Sequence, residues 1–131
     1  MIIPNKFLKL DYNPTKDILL VEWPNMHNYT LPEVTYIINE VVETVRSYDI
    51  KRILTDTRQS KVTVPMEEYA GIINNLALQL ATTRLQKFAK LKTADPDRET
   101  ISSNAAALVV GSITYRSFES MDDAIEWLVE I

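Results

Sequence analysis

Apolar side chains recur at helical spacing most clearly between residues 30 and 48. Thr30 is a good N-cap, Pro32 falls in the first turn, and Glu33 places a negative charge near the helix start. The apolar positions that follow form a single stripe: Leu31, Val34, Ile38, Val41, Val42 and Val45. This pattern predicts an amphipathic helix that lies on a sheet.

Three more stretches show helical spacing behind a proline or a capping residue. Pro65 opens a second predicted helix, which runs to about Leu80. Asp95 caps a third helix, which ends near Gly111. Ser120 caps the last helix, which continues toward the end of the sequence.

Five shorter stretches are apolar, or alternate between apolar and polar side chains, as strands do. They are residues 6–12, 17–23, 51–57, 85–93 and 113–118. The first two flank an Asn-Pro-Thr-Lys turn, which predicts an antiparallel hairpin. The later strands alternate with helices, which predicts parallel pairing through right-handed crossovers.

The resulting order is ββαβαβαβα. It predicts an α/β fold with a mixed sheet of about five strands flanked by four helices. Neither an internal repeat nor a linker interrupts the chain. Residues 1–131 are therefore expected to form a single domain, which is the usual count at this length.

The composition narrows the kinds of site that the chain can build. It has two glycines, whereas an average usage of about 7% would give roughly nine. Rossmann and Walker loops need closely spaced glycines, so neither can form. The chain has no cysteine and one histidine, which leaves zinc fingers, iron–sulfur sites and thiol nucleophiles without their ligands or reactive groups. We expect no metal, no cofactor and no catalysis.

The charge and hydropathy of the chain limit the classes of partner and the cellular locations that we expect. Its formal charge of −4 comes from 18 acidic and 14 basic residues. This balance argues against a nucleic-acid partner, because such binding depends on many lysine and arginine contacts to phosphate. No apolar run approaches ~20 residues, so we expect no membrane span. The opening residues lack the pattern of a signal peptide, and a cytoplasmic location is expected.

Three short strings resemble a known superfamily. They are ILTDTR at residues 53–58, QKFAKL at 86–91 and RSFESMDDAIEWL at 116–128. Together with the element order, they make the chain similar to the SpoIIAA-like superfamily, the fold shared by STAS and CRAL-TRIO/Sec14-type domains. The closest likeness is to small stand-alone bacterial members of that group.

The resemblance implies a mixed sheet flanked by helices and a non-enzymatic module that works through binding or regulation. STAS antagonists carry a phosphorylatable serine in a D-S-[ST]-G string after their central strand. Here the corresponding residues 58–65 read RQSKVTVP, without that string and without glycine. Ser60 and Thr63 are the hydroxyls nearest the expected place. Because the phospho-acceptor string is missing, the phosphorylation switch of the STAS antagonists is not transferred to this chain.

Ligands of open α/β sheets bind beyond the carboxyl ends of the parallel strands. The candidate ligand or anion rim there comprises His27, Asp56, Arg58, Ser60, Thr63 and Asp95. The Arg58 guanidinium and free N–H groups at helix starts could hold an anion. The alternative is that Asp56 and Arg58 pair with each other. Thr63 and Asp95 would then only cap helices, and His27 would be a solvated loop residue.

The second predicted helix carries more apolar surface than one face can bury. Ile72 lies at the edge of its apolar stripe, and Leu78 lies nearly opposite the centre of that stripe. These two residues form a candidate interface, either for self-association as a homodimer or for a protein partner.

Basic residues cluster in the fourth predicted strand. Lys87 falls on one face of that strand, and Lys90 and Lys92 fall on the other, with Arg84 just before them. Alternation therefore divides the cluster between two faces. Solvation at the strand ends is the expected reason for these charges.

Three functions follow from these observations. The first is a regulatory or protein-interaction module of the STAS/SpoIIAA-like type, without catalysis. The second is a small-molecule or lipid-binding carrier of the Sec14-like type. The third, weaker than the others, is an enzyme that uses Asp56 and Arg58.

Overall fold

A computed structural model of the chain describes residues 1–130. Within them, the strands are β1 (Ile2–Ile3), β2 (Lys9–Asn13), β3 (Ile18–Glu22), β4 (Arg52–Asp56), β5 (Lys87–Leu91) and β6 (Thr114–Phe118). The helices are α1 (Leu31–Ser47), α2 (Met66–Leu80), α3 (Pro96–Ala107) and α4 (Met121–Val129). The predicted α/β class is confirmed.

The six strands form one mixed sheet whose spatial order follows the chain, from β1 to β6. The pairs β1–β2 and β2–β3 are antiparallel, and the three later pairs are parallel. The predicted hairpin and crossovers are thus both present. The order of the elements is close to that of STAS-like domains.

The structure adds a strand that the sequence analysis did not predict. β1 has two residues, too few to show an alternating pattern, yet Ile3 is buried and pairs with Leu10 of β2. β2 begins at Lys9 and not at residue 6, because the Asn5 side chain accepts the backbone N–H groups of Phe7 and Leu8 in a turn.

Both faces of the sheet are covered, each by different helices. Strand alternation directs Leu19, Val21 and Ile53 toward α1, α2 and α3, where they join the larger core. Leu54 and Leu91 point the other way, into a smaller core closed by α4. The chain therefore builds three layers, with a helical layer on either side of the sheet.

The predicted caps are confirmed at three helix starts. Thr30 forms a capping box with Glu33, Asp95 accepts the N–H groups of Asp97 and Arg98, and Ser120 accepts that of Asp123. α3 ends at Ala107 rather than near Gly111, and turns follow it. Gly111 there has φ +95°, a conformation that favours glycine.

Helix α4 closes the smaller core, so substitutions in this helix test whether it stabilises the fold. Leu128 is fully buried there, so Leu128→Ala should lower the free energy of unfolding by about 2–5 kcal/mol. Val129, the next residue, is 38% exposed, so Val129→Ala is the matched control. Urea denaturation measures both, and equal costs would contradict the assignment of α4 to this core.

Candidate functional site

A cavity of about 80 Å³ lies between the sheet and the helices α2 and α3. Its floor comes from β4, β5, β6 and the residues that follow β3 and β4, and its roof comes mainly from α2 and α3. The volume is large enough for several waters or for a small organic molecule.

The floor follows from the register of the parallel strands. Ile53 pairs with Phe88, and Phe88 pairs with Tyr115, so these three side chains point to the same face. Two residues further along, Thr55 pairs with Lys90 on that face. Phe88, Tyr115, Thr55 and Lys90 all line the cavity.

The roof leaves space because α3 presents small side chains to the sheet. Ser102, Ala105 and Ala106 line the cavity at positions where most amphipathic helices carry leucine or isoleucine. Ile73 and Leu76 of α2 supply larger apolar walls. The site is therefore mainly apolar, with polar groups at a few defined points.

Two of those polar groups have no hydrogen-bond partner in the part of the chain described. The Trp23 Nε1 and Thr57 Oγ1 atoms are buried and unpaired, and both residues line the cavity. Trp23 is 9% exposed and Thr57 is 7% exposed. A buried donor that lacks a partner costs about 1–3 kcal/mol, so each group favours a ligand or a water beside it.

Arg98 supplies a buried positive charge to the same cavity. It is 5% exposed, and its guanidinium donates to the Ser60 carbonyl oxygen at 2.7 Å and to the Tyr69 hydroxyl at 3.3 Å. It also lies 5.5 Å from the centre of the Tyr69 ring. Within residues 1–130, Arg98 forms no ion pair with a carboxylate.

Lys90 supplies a second buried cation, and this one is paired. Its ammonium group donates to Glu99 of α3, which also accepts the N–H and hydroxyl of Thr93. Burial lowers the pKa of Lys90, although Glu99 acts against this shift. Burial alone would raise the pKa of Glu99, but the hydrogen bonds from Lys90 and Thr93 outweigh it and lower that pKa.

This ion pair corrects the prediction that charges in the β5 segment are solvated at strand ends. Lys92 is exposed, but Lys90 is 6% exposed and paired with Glu99. The predicted division between two faces is nevertheless correct. Lys87 lies on the α4 side, where it donates to the Trp127 and Glu130 carbonyl oxygens.

Asp56 and Arg58 of the predicted rim pair with each other. The guanidinium donates to both carboxylate oxygens of Asp56, at 3.0 and 2.9 Å. The hydrogen bonds from Arg58 are the main reason that the pKa of Asp56 is lowered. Arg58 is exposed, and Asp56 points away from the face that carries Thr55 and Thr57, because alternate residues of a strand face opposite sides.

The remaining rim residues make separate contacts. Thr63 accepts the backbone N–H of Asn28 at 2.8 Å, next to the exposed His27. Ser60 accepts a hydrogen bond from Arg98 through its carbonyl oxygen, while its own hydroxyl is buried and has no partner in the described part of the chain. Asp95 caps α3. The anion rim at Arg58 stays a prediction, as does self-association through the candidate interface.

The two interface candidates differ in exposure. Ile72 is partly buried against the larger core and lines a groove between α1 and α2. Leu78 is 50% exposed.

The sequence analysis missed Trp23, Thr57, Lys90 and Arg98 as parts of one site. The alternation of side chains along a strand offered one signal of this site, since Thr55 and Thr57 fall on the same face as the apolar Ile53. The string SSNAAA in α3 offered another, because small side chains leave space above a sheet. The sequence pattern contained no signal that Arg98 lines the cavity between the sheet and α3.

Glu99→Gln tests the buried ion pair through its pH dependence. The change leaves the Lys90 cation without its carboxylate and should cost about 2 kcal/mol at pH 7, less than a fully buried pair because Glu99 is 24% exposed. Both pKa values are lowered by folding, so the unfolded chain binds more protons and stability rises with pH. The contribution of Lys90 to this increase in stability occurs at pH values between its lowered pKa and the ordinary lysine pKa.

The cost of Glu99→Gln should therefore shrink as the pH rises above the lowered pKa of Lys90 toward the ordinary lysine pKa of about 10.4, because the buried amine of the folded chain is then neutral and no longer needs a carboxylate beside it. Urea unfolding at several pH values measures it. Glu126→Gln, at an exposed position of α4, is the control and should show no such trend. A cost for Glu99→Gln that is independent of pH would contradict the pairing.

Two features are absent from residues 1–130. Among them, no three His, Cys, Asp or Glu side chains are grouped so that they could hold a metal ion. No helix in this part of the chain is long and apolar enough to cross a membrane.

Comparisons with known proteins add no further constraint. The chain matches no protein-family model, no curated protein and no solved structure at a significant level. The conclusion at this point is an α/β fold with a mixed six-stranded sheet and a partly polar cavity beneath α2 and α3.

Proposed function

We propose that this protein is a non-catalytic binding module that holds a small, mainly apolar molecule in the cavity beneath α2 and α3. The observation that carries the proposal is an apolar cavity lined by Trp23 and Thr57, each of which has a buried polar atom without a hydrogen-bond partner among residues 1–130. Ligand sites are typically apolar with a few polar groups that fix orientation. A bound molecule would supply the missing partners.

This proposal favours the small-molecule carrier over the protein-interaction module. Of the two interface candidates, Ile72 lies partly against the core, so Leu78 alone offers a largely exposed apolar surface. A single exposed leucine is common on monomeric proteins. The cavity, by contrast, combines apolar walls, unpaired donors and a buried charge in one place.

We also infer that the chain is a SpoIIAA-like domain of the STAS/Sec14-related group without the usual phospho-switch. The supporting feature is an N-terminal antiparallel hairpin followed by three parallel strand pairs. Of the two hydroxyls nearest the place of the phospho-acceptor, Ser60 is 6% exposed, which does not suit access by a kinase. Thr63 is exposed, and its hydroxyl oxygen accepts the backbone N–H of Asn28. Binding, as in the Sec14-like branch, agrees better with the cavity.

Ala106→Leu tests whether the cavity is the binding site. Ala106 lines it, so a leucine there should fill the space and weaken binding of a neutral apolar probe, hexan-1-ol, at least tenfold. Ala107→Leu is the matched control, because Ala107 is the next residue of α3 and is exposed.

Trp23 reports on occupancy. The chain has two tryptophans, and Trp127 lies on the opposite side of the sheet, so a Trp127→Phe background isolates the Trp23 emission. Hexan-1-ol should change that emission in this background and with Ala107→Leu, but not with Ala106→Leu. Failure of hexan-1-ol to bind the unaltered chain, or equal binding by the two leucine variants, would refute the proposed function.

A further inference from the structure

We propose that the molecule held in this cavity is a small carboxylate with an apolar body, and that Arg98 holds its anionic end. This inference rests on the proposed function, because it names the chemical class of the ligand for the same site. Four observations carry it: an unpaired buried guanidinium, two unpaired polar groups, the charge balance of the wall, and the apolar lining.

Arg98 lines the cavity, and its guanidinium has no anionic partner among residues 1–130. Its two contacts, the Ser60 carbonyl oxygen and the Tyr69 hydroxyl, are neutral acceptors. Buried charges are usually paired, because burial removes their hydration. A guanidinium has five N–H donors and binds a carboxylate through two parallel hydrogen bonds. Donors therefore remain for a ligand.

The unpaired polar groups require the same kind of ligand. Indole Nε1–H only donates, so the partner of Trp23 must be an acceptor. The Thr57 hydroxyl can donate as well. Together with Arg98, the cavity wall offers donors from three different elements. A ligand that carries two acceptor oxygens, as a carboxylate does, matches this set.

The other charges near the site leave the Arg98 charge uncompensated. Lys90 is a second cation, and Glu99 is taken up by Lys90 and Thr93. Asp95 is exposed and accepts backbone N–H groups at the start of α3. Two buried cations of the wall, Lys90 and Arg98, therefore face one partly buried carboxylate beside it, Glu99, and an anionic ligand restores the balance.

The apolar lining distinguishes a carboxylate with a hydrocarbon body from an inorganic anion. Phe88, Ile73, Leu76 and Val109 supply most of the remaining wall. Phosphate would place oxygens against these side chains, which is costly without hydrogen bonds. The enclosed space of about 80 Å³ is about half that of a ~150 Å³ cavity that holds benzene, so it takes the carboxylate and the first carbons of a short-chain acid, and the rest of the chain extends through the open side of the pocket.

Paired ligands test the proposal. Hexanoate and hexanamide have the same size and differ mainly in charge, and isothermal titration calorimetry measures their affinities for the full chain at pH 7. Hexanoate should bind about tenfold to hundredfold more tightly, the range expected for hydrogen bonds to a charged group. Inorganic phosphate should not compete with hexanoate.

Substitutions show which side chains cause the preference for hexanoate over hexanamide. Arg98→Met should remove the preference for hexanoate over hexanamide, whereas Arg84→Met, at an exposed arginine, should leave it unchanged. Trp23→Phe deletes one N–H donor and should weaken hexanoate binding about threefold to tenfold. Because it retains Arg98, this variant serves as the test if Arg98→Met does not fold.

The outcomes separate the two proposals. If hexanamide and hexan-1-ol bind and hexanoate is no tighter than hexanamide, the carboxylate assignment is wrong and the proposed function stands. If hexan-1-ol does not bind, the proposed function fails as well. Competition by phosphate, or a preference for hexanoate that survives Arg98→Met, would also overturn the assignment. If Arg98→Met does not fold, an unchanged hexanoate affinity in Trp23→Phe would overturn it.

Discussion

The buried guanidinium of Arg98 links helix α3 to helix α2 and to the segment that follows β4. It stands at the start of α3 and reaches the carbonyl oxygen of Ser60, after β4, and the hydroxyl of Tyr69 on α2. A charge at this depth needs hydrogen bonds and a counter-charge to offset its lost hydration. The described chain supplies the hydrogen bonds. The position of the unmatched charge, in a cavity wall, indicates where an anion would bind.

The two faces of the sheet differ in how completely they are filled. Under α4, Leu54, Leu91 and Leu128 are almost completely buried and pack as an apolar core. Under α3, small side chains leave a cavity of about 80 Å³, which at about 24 cal/mol per Å³ corresponds to about 2 kcal/mol of lost stability. A leucine in place of Ala106 would be a simple way to recover some of it. Space kept at such a cost, with polar groups in its walls, is typical of a site where function opposes stability.

Much of the fold could be predicted because it depends on local patterns. Thr30, Asp95 and Ser120 cap helices as their types predict, and five strands form where the sequence is apolar or alternates between apolar and polar residues. The two-residue β1 could not be predicted, since only pairing with β2 makes it a strand. Lys90 was assigned to solvent because its burial depends on Glu99, nine residues away on another element.

The candidate site depended on contacts between distant residues, and this explains where prediction stopped. Asp56 and Arg58 were predicted to lie beyond the carboxyl ends of the parallel strands, where Arg58 could hold an anion, and they pair with each other. Arg98 lies 38 positions from Ser60 in the sequence, so only the tertiary fold brings them together. The most direct test follows the two indole N–H signals by ¹H–¹⁵N NMR while hexanoate is added. The Trp23 signal should move downfield while that of Trp127 stays in place, and a Trp23 signal unchanged at saturating hexanoate would contradict the account.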